Sequence, residues 1–150
     1  MKTSPIIERV RDQVAAFAGR VAGAAEFAQA AEQEQFPVPH AFVLNAEEEV
    51  LVADAQSGAR SLTAGQVSQV VWEVFAIVVA VDNTADLRGQ AAGDQLDDLK
   101  LALHAALIGW SPDADLYSGL EYRGGSHLLA TRARLWHEFR YASVLVIGQA

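Results

Sequence analysis

The residue types that most often do chemistry are sparse in this sequence, and its histidines are the first to consider. Two of the four, His127 and His137, fall in predicted neighbouring strands, where they could face each other. Glu138 could not join them, because side chains alternate along a strand and it points to the opposite face from His137. A metal site lacks a clear third ligand, so the pair is interpreted as two ordinary strand histidines.

Other motifs that could support catalysis fail on residue type or spacing. The segment 113–121, DADLYSGLE, has Ser118 where a calcium-binding loop requires glycine. The sequence contains neither a phosphate-binding glycine loop nor a serine nucleophile elbow, and no general acid and base stand at a usable spacing. We therefore predict a protein that is not an enzyme and that uses no cofactor or metal ion.

The densest run of charge is acidic and consists of Glu47, Glu48 and Glu49, with Asp54 shortly after it. Neighbouring carboxylates point apart along a chain, which favours a solvated acidic surface over a ligand site. The stretch ADAQSGARSLTAGQ follows, and its small, polar composition with two glycines is typical of an exposed loop. We predict a long loop over about residues 47–66, which exceeds the usual length of a connection and is therefore either functional or disordered.

Length and composition indicate a single domain over residues 1–150. Hydrophobic residues make up 51% of the chain and charged residues 20%, which is an ordinary globular balance. The chain has no cysteine, so disulfides and cysteine-based zinc sites are excluded. The longest apolar run, residues 74–81, is far shorter than the roughly 20 residues of a membrane-spanning helix. We expect a soluble protein without membrane contact.

Charge is distributed unevenly along the chain. The formal net charge of −8 disfavours a broad nucleic-acid surface, because phosphate binding needs clustered lysine and arginine. From Tyr117 onward, however, four arginines accompany two glutamates, which gives +2 there and leaves −10 for the rest. Separate acidic and basic surfaces would suit a head-to-tail assembly of identical chains.

The spacing of apolar residues predicts an α+β domain. The order helix, short helix, strand, strand, helix, strand, strand gives an antiparallel or mixed sheet of about four strands, with helices packed on one face. The first helix begins at Ser4 and Pro5, a hydroxyl cap followed by proline. The other predicted elements are a helix within 24–35, strands at 40–46 and 67–81, a helix at about 85–108, and strands at 120–130 and 134–147.

The long predicted strand is apolar on both of its faces. In QVSQVVWEVFAIVVAVDN, residues 66–83, alternate positions on either side are mostly hydrophobic. A strand with one wet face should instead alternate apolar and polar residues. The predicted helices cover one face, and no other element remains for the second. We therefore predict that another chain covers it.

Several residues are candidates for that subunit contact. Trp136 is the preferred aromatic anchor, since it shares its predicted face with charged neighbours, whereas Trp72 lies among valines. Glycines four apart in the predicted third helix form a smooth strip that another backbone could approach closely. The predicted interface residues are Trp136, Arg132, Arg134, Arg140, Gly89 and Gly93.

Three strings of the sequence resemble the tail terminator proteins of long-tailed phages and Mu-like prophages. They are VPHAFVLNAEEE, then QVSQVVWEVFAIVVAVDNTADLRGQAAGDQLDDLKLALHAALIGWSP, and LEYRGGSHLLATRARLWHEFRYASVLVI, which together span about residues 38–147. The resemblance implies a virion protein that forms a ring, typically a hexamer, on the head-proximal end of the tail tube. Such a ring ends tube polymerisation, presents the surface to which head-completion proteins attach, and lets the genome pass through its bore.

The resemblance gives the acidic run a possible role. Glu47, Glu48, Glu49 and Asp54 would line or approach the bore and repel phosphate, so that DNA slides without specific binding. Exposure on the outer rim is the alternative for these residues. The alternative for the whole protein is a small cytoplasmic dimer that binds a ligand between helix and sheet, and a weaker one is an enzyme that uses His127 and His137.

Overall fold

The computed structural model describes residues 1–33, 35–51, 68–84, 89–131 and 133–148. Within them it contains one five-stranded sheet and three α-helices, which confirms the predicted α+β class. The elements are α1 (Ser4–Gln13), a 3-10 turn (Ala15–Phe17), β1 (Val21–Ala22), α2 (Ala24–Glu32), β2 (His40–Leu51), β3 (Ser68–Asp82), α3 (Gln90–Leu107), β4 (Glu121–Ala130) and β5 (Arg134–Gly148).

The strands lie side by side in the order β1, β2, β3, β5, β4. The four long strands are antiparallel to their neighbours, and β1 pairs in parallel with β2 through two residues only. β1 was not predicted from the sequence, because a strand of two residues shows no periodicity. No helix in the described ranges is both long and apolar enough to cross a bilayer.

One face of the sheet, here called the helix face, carries α1 and α3. Phe75, Ile77 and Val79 of β3 are fully buried there. The helices contribute stripes of side chains at spacings of three and four, the pattern expected for one buried side of a helix. The stripe of α1 includes Ile6 and Val10, and that of α3 includes Leu96, Leu99, Leu103 and Leu107.

The opposite face, here called the second face, is not bare, contrary to the expectation from the sequence. At one end α2 packs on it, where Ala30 contacts the buried Phe42 and Val78. At the other end a salt bridge joins Glu47 of β2 to Arg140 of β5. Because β3 lies between those two strands, the pair crosses over β3. Long charged side chains thus cover valine and alanine residues that no helix reaches.

Two predicted boundaries differ from the structure. Glu47, Glu48 and Glu49 belong to β2, which continues to Leu51, and the rest of the predicted loop lies outside the described residues. The third helix begins at Gln90, after Gly89 in a left-handed conformation with φ of 69°. Gly89 is therefore not inside the helix with Gly93, and the predicted two-glycine strip does not form. Glycine tolerates this φ without the steric penalty that a side chain brings.

Candidate functional site

The acidic run lies along the outer half of β2 and is exposed. Strand pairing places Glu48 directly opposite Glu73 on the helix face, whereas Glu47 and Glu49 point to the second face. The amino nitrogen of Met1 lies 2.6 Å from Glu73 and offsets the repulsion between the facing carboxylates. This half of β2 therefore carries negative charge on both sides of the sheet. Asp54 lies outside the described residues.

Arg140 links charges of two strands on the second face. Its Nε donates a hydrogen bond to Glu138 at 2.9 Å, and its Nη1 lies 3.4 Å from Glu47. The Glu138 side chain is only 13% exposed, whereas that of Glu47 is 59% exposed. Arg140 thus already has two partners within its own chain. The same face carries Arg123, whose guanidinium lies 5.0 Å from the centre of the Trp72 ring.

Trp136 belongs to an aromatic cluster at the α2 end of the second face. Its ring lies 5.5 Å from that of Phe36, 6.0 Å from Phe27 and 6.1 Å from Phe42. Arg134 donates a hydrogen bond to the Phe36 carbonyl and lies over the Phe36 ring, so it holds the segment after α2 against the sheet. An open groove of about 300 Å³ borders the cluster and is lined in part by Ala30, Leu129 and Thr131.

The remaining predicted interface residues do not gather at this groove. Gly93 lines a different cleft, between α3 and β5, and an added Cβ there would meet no atom within 4 Å. Gly89 precedes α3, close to the side chain of Asn83. Arg132 lies outside the described residues. Of the predicted set, Trp136 and Arg134 are therefore the two that lie together beside an open apolar groove.

His127 and His137 face each other, as the strand assignment predicts. They are direct partners across β4 and β5, and their Nδ1 atoms are 3.1 Å apart. Burial is the main cause that lowers the pKa of His137, followed by the neighbouring His127 and Lys100. In the part of the chain that the structure describes, no third histidine or carboxylate completes a group suited to a metal ion. The two rings are therefore better described as a hydrogen-bonded pair, in which one Nδ1 donates and the other accepts, than as metal ligands.

A second polar cluster on the helix face was missed by the sequence analysis. The Nδ1 of His104 on α3 lies 2.8 Å from the hydroxyl of the buried Tyr141 on β5. Burial raises the pKa of the Tyr141 hydroxyl and lowers that of His104. Tyr122 of β4 packs on both rings. The sequence gives no signal for this contact, because the three residues come from three elements and form no motif.

A third polar contact, made by the half-buried Tyr117, lies near the acidic half of β2. Burial, together with a hydrogen bond from Tyr117 to Glu73, raises the pKa of Tyr117 to about 12. This hydroxyl therefore stays protonated at neutral pH and can only donate or accept a hydrogen bond. Neither this cluster nor the histidine clusters set a base beside a nucleophile and an oxyanion-binding group, the arrangement that hydrolytic enzymes use.

The comparison with protein families agrees with the resemblance seen in the sequence. The family model described as phage tail terminator protein matches residues 1–150, the whole chain. Among solved structures, a chain of the virion of a native gene transfer agent particle is similar, with 19% identity and a TM-score of 0.47, covering 93% of this chain and 90% of that one. No match is found among curated protein sequences. The chain belongs to the phage tail terminator family and is a structural component of a phage virion.

Proposed function

We propose that this protein forms a ring, most simply of six copies, on the head-proximal end of the phage tail tube. The ring ends polymerisation of the tube and presents the surface to which a head-completion protein attaches. The observation that supports this role is the family match, which extends over residues 1–150. The partners are further copies of the chain, the tail tube protein and the head-completion protein.

Within this ring, the outer half of β2 would face or approach the bore. Glu47, Glu48 and Glu49 are exposed on both sides of that strand. Carboxylates along the path of DNA repel its phosphates, so that the genome passes without being held. Asp54 would extend this acidic lining.

The bore assignment is tested by neutralising Glu47, Glu48 and Glu49 to glutamine and Asp54 to asparagine. We expect slower genome ejection from particles that carry this variant, with the largest difference at low salt, where charge is least screened. Asp97→Asn with Asp98→Asn, two exposed carboxylates on α3, is the matched control. Ejection equal to that of the unmodified protein at every salt concentration would assign the acidic run to the outer rim.

The groove beside Trp136 is the proposed anchor of the subunit contact. Tryptophan is enriched in such contacts, and the groove is open and flanked by Leu129, which is 57% exposed. Arg132 and Arg134 would give this region its positive charge, and Arg134 also holds the segment after α2 against the sheet. Arg140 would contribute to the contact from the other end of the second face, where it pairs with Glu47 and Glu138. Gly89 and Gly93 lie apart from it and would serve a second contact near the start of α3.

The experiment that tests the ring is the molar mass in solution, measured by light scattering over a concentration series at low and moderate salt. We expect a mass near six chains that falls as salt rises, because the acidic and basic surfaces are then screened. If the protein is monomeric, it is mixed with tail tubes, and electron microscopy should show capped ends. A compact dimer at every concentration would favour the small ligand-binding protein instead.

Two exposed leucines provide a matched pair for the contact. Leu129→Asp changes the rim of the groove, whereas Leu101→Asp changes an equally exposed position on α3. We expect Leu129→Asp to abolish the six-chain species or the capped ends and Leu101→Asp to leave them intact. Equal behaviour of the two variants would remove the groove from the interface.

A further inference from the structure

The sheet ends in two long edges that lack a partner in the described residues. On one side, β1 pairs with β2 only at Ala41 and Phe42, so no described strand covers β2 from residue 44 to 51. On the other side, the turn after α3 covers Leu120 through a bridge from Ile108, but no described strand flanks β4 beyond it. Each edge presents backbone N–H and C=O groups that can pair with another strand.

Exposed apolar side chains concentrate on these two strands. Val50 on β2 is 50% exposed, and on β4 Leu128 is 48% and Leu129 is 57% exposed. They are three of the six large hydrophobic side chains that are exposed in the described part of the chain. Open edges of water-exposed proteins are usually short or defended by charged side chains, lysine above all, or by proline. Both edges here are long, lack lysine and proline and carry apolar groups, and the charge on the β2 edge is acidic only.

Charge selects which edges pair. Residues 44–51 carry three glutamates and no basic residue, so two copies of this edge would bring six carboxylates together. The β4 strand has one acid, Glu121, one base, Arg123, and His127, so its formal charge is balanced. An acidic edge therefore fits the neutral one better than it fits itself.

Strand direction also fits a pairing between unlike edges. The four long strands alternate in direction, so β2 and β4 run oppositely. A second copy related by rotation about a ring axis would add its β2 to this β4 as an antiparallel neighbour, which continues the existing pattern. Bulges after Asn45 in β2 and after Tyr122 and His127 in β4 bend the strands, and such bends are how sheets are curved.

We propose that the free edge of β4 in one copy pairs with the free edge of β2 in the next, so that the sheet continues from subunit to subunit around the ring. This inference rests on the proposed ring and assigns its interface. Because the two edges differ, the contact is heterologous and can close into a ring. It also brings the acidic run of each copy beside β4 of its neighbour.

Cross-linking between engineered cysteines tests the pairing, since the natural chain has none. Leu44→Cys on β2 and Ser126→Cys on β4 both point to the second face, where Leu44 is half-buried and Ser126 is exposed. A short bis-maleimide is added to the double variant, alone and on tail tubes. We expect a ladder of covalent species from two to six chains under denaturing conditions. Asp98→Cys with Ser126→Cys, which moves one site to α3, should give no ladder.

The remaining outcomes separate this inference from the proposed function. The double variant could form six-chain particles or cap tubes and still give no ladder. That result would overturn edge pairing and leave the proposed ring intact. Covalent dimers of Ser126→Cys alone would show that β4 pairs with β4, which also overturns it. If neither six-chain particles nor capped tubes form with the unmodified protein, the proposed function itself fails.

Discussion

The two faces of the sheet are built differently. On the helix face, Phe75, Ile77 and Val79 are buried under the apolar stripes of α1 and α3. On the second face, aromatic packing with α2 covers one end, and the ion pairs of Arg140 cover the other. The helix face therefore holds the fold together, whereas half of the second face has a cover of charged side chains that are themselves partly exposed to solvent.

The largest expected effect on stability comes from the helix face. Leu103 of α3 is fully buried in its core, and Leu103→Ala should lower the free energy of unfolding by about 2–5 kcal/mol through lost burial and the cavity left behind. Urea denaturation measures the change. Leu101→Ala, on the same helix but 66% exposed, should stay within about 0.5 kcal/mol. Comparable losses from the two variants would contradict the assignment of the core.

A glycine at the edge of the sheet should give the next largest effect. A Cβ on Gly125 would lie 2.7 Å from the Glu138 carbonyl oxygen and 2.8 Å from the Tyr122 hydroxyl. Gly125→Ala must therefore push β4 away from β5, and we expect a loss of about 1–3 kcal/mol in unfolding free energy. Gly93→Ala on α3, where a Cβ meets nothing, should gain about 0.5–1 kcal/mol. A neutral Gly125→Ala would mean that the two strands separate easily.

Lower pH should reduce the free energy of unfolding, because each face of the sheet buries histidine in a way that disfavours its charged form. Burial lowers the pKa of His104 and His137 on the helix face and of His40 on the second face. A pKa below the unfolded value of 6.5 means that the folded state binds the proton less well. This stability is present above about pH 6.5 and is lost as pH falls through the folded pKa values.

Unfolding free energies measured between about pH 7.5 and pH 5 check this dependence. His104→Gln and His40→Gln, made separately, should each reduce the change of unfolding free energy with pH. The first variant tests the contribution of the helix face, and the second tests that of the second face. Asp82 titrates in a separate, more acidic pH range, since the hydrogen bonds that it accepts from Thr84 lower its pKa from the ordinary value of 3.8. Its contribution is lost only in more acidic solution. An unchanged slope in both variants would assign the pH dependence to other groups.

Much of the fold follows from apolar patterning. Where the structure differs from the predicted elements, the difference has a local physical cause. The apolar pattern of residues 67–81 predicts one long strand, and the structure confirms it as β3, Ser68–Asp82. The pattern does not reveal what covers the second face, because α2 is short and its side chains give no direction of packing. The extension of β2 through Glu47 to Glu49 could not be predicted, since charged residues are rare in strands and pairing with β3 overrides that preference.

The candidate site was predictable only where strand pairing decides the contact. The facing of His127 and His137 follows from two adjacent strands and was predicted. The contact of Arg140 with Glu47 joins residues 93 positions apart, and only the three-dimensional strand order β2, β3, β5 brings them together. The same holds for Trp136 and Phe36, whose meeting depends on where the segment after α2 crosses the sheet.

Removal of Arg140 tests the charged cover of the second face. Arg140→Met keeps most of the side-chain length over the sheet but leaves the mostly buried carboxylate of Glu138 without its hydrogen-bond donor. We expect a loss of about 1–2 kcal/mol in unfolding free energy, less than for the core leucine. A loss as large as that of Leu103→Ala would show that the second face is as fixed as the helix face.

The smallest expected effect is that of Glu47→Gln, which breaks the 3.4 Å contact to Arg140 but leaves the Arg140 hydrogen bond to Glu138 in place. Both partners of the broken pair are partly exposed, so water already screens their attraction, and we expect a loss below about 0.5 kcal/mol in urea denaturation. The loss should shrink further in salt. If Glu47 instead contacts the next subunit, the same substitution should change the salt dependence of the six-chain mass while the unfolding free energy of the monomer hardly moves. Unchanged assembly together with a large loss of unfolding free energy would show that Glu47 stabilises the fold of its own chain. It would then not belong to the part of the second face that can contact another chain.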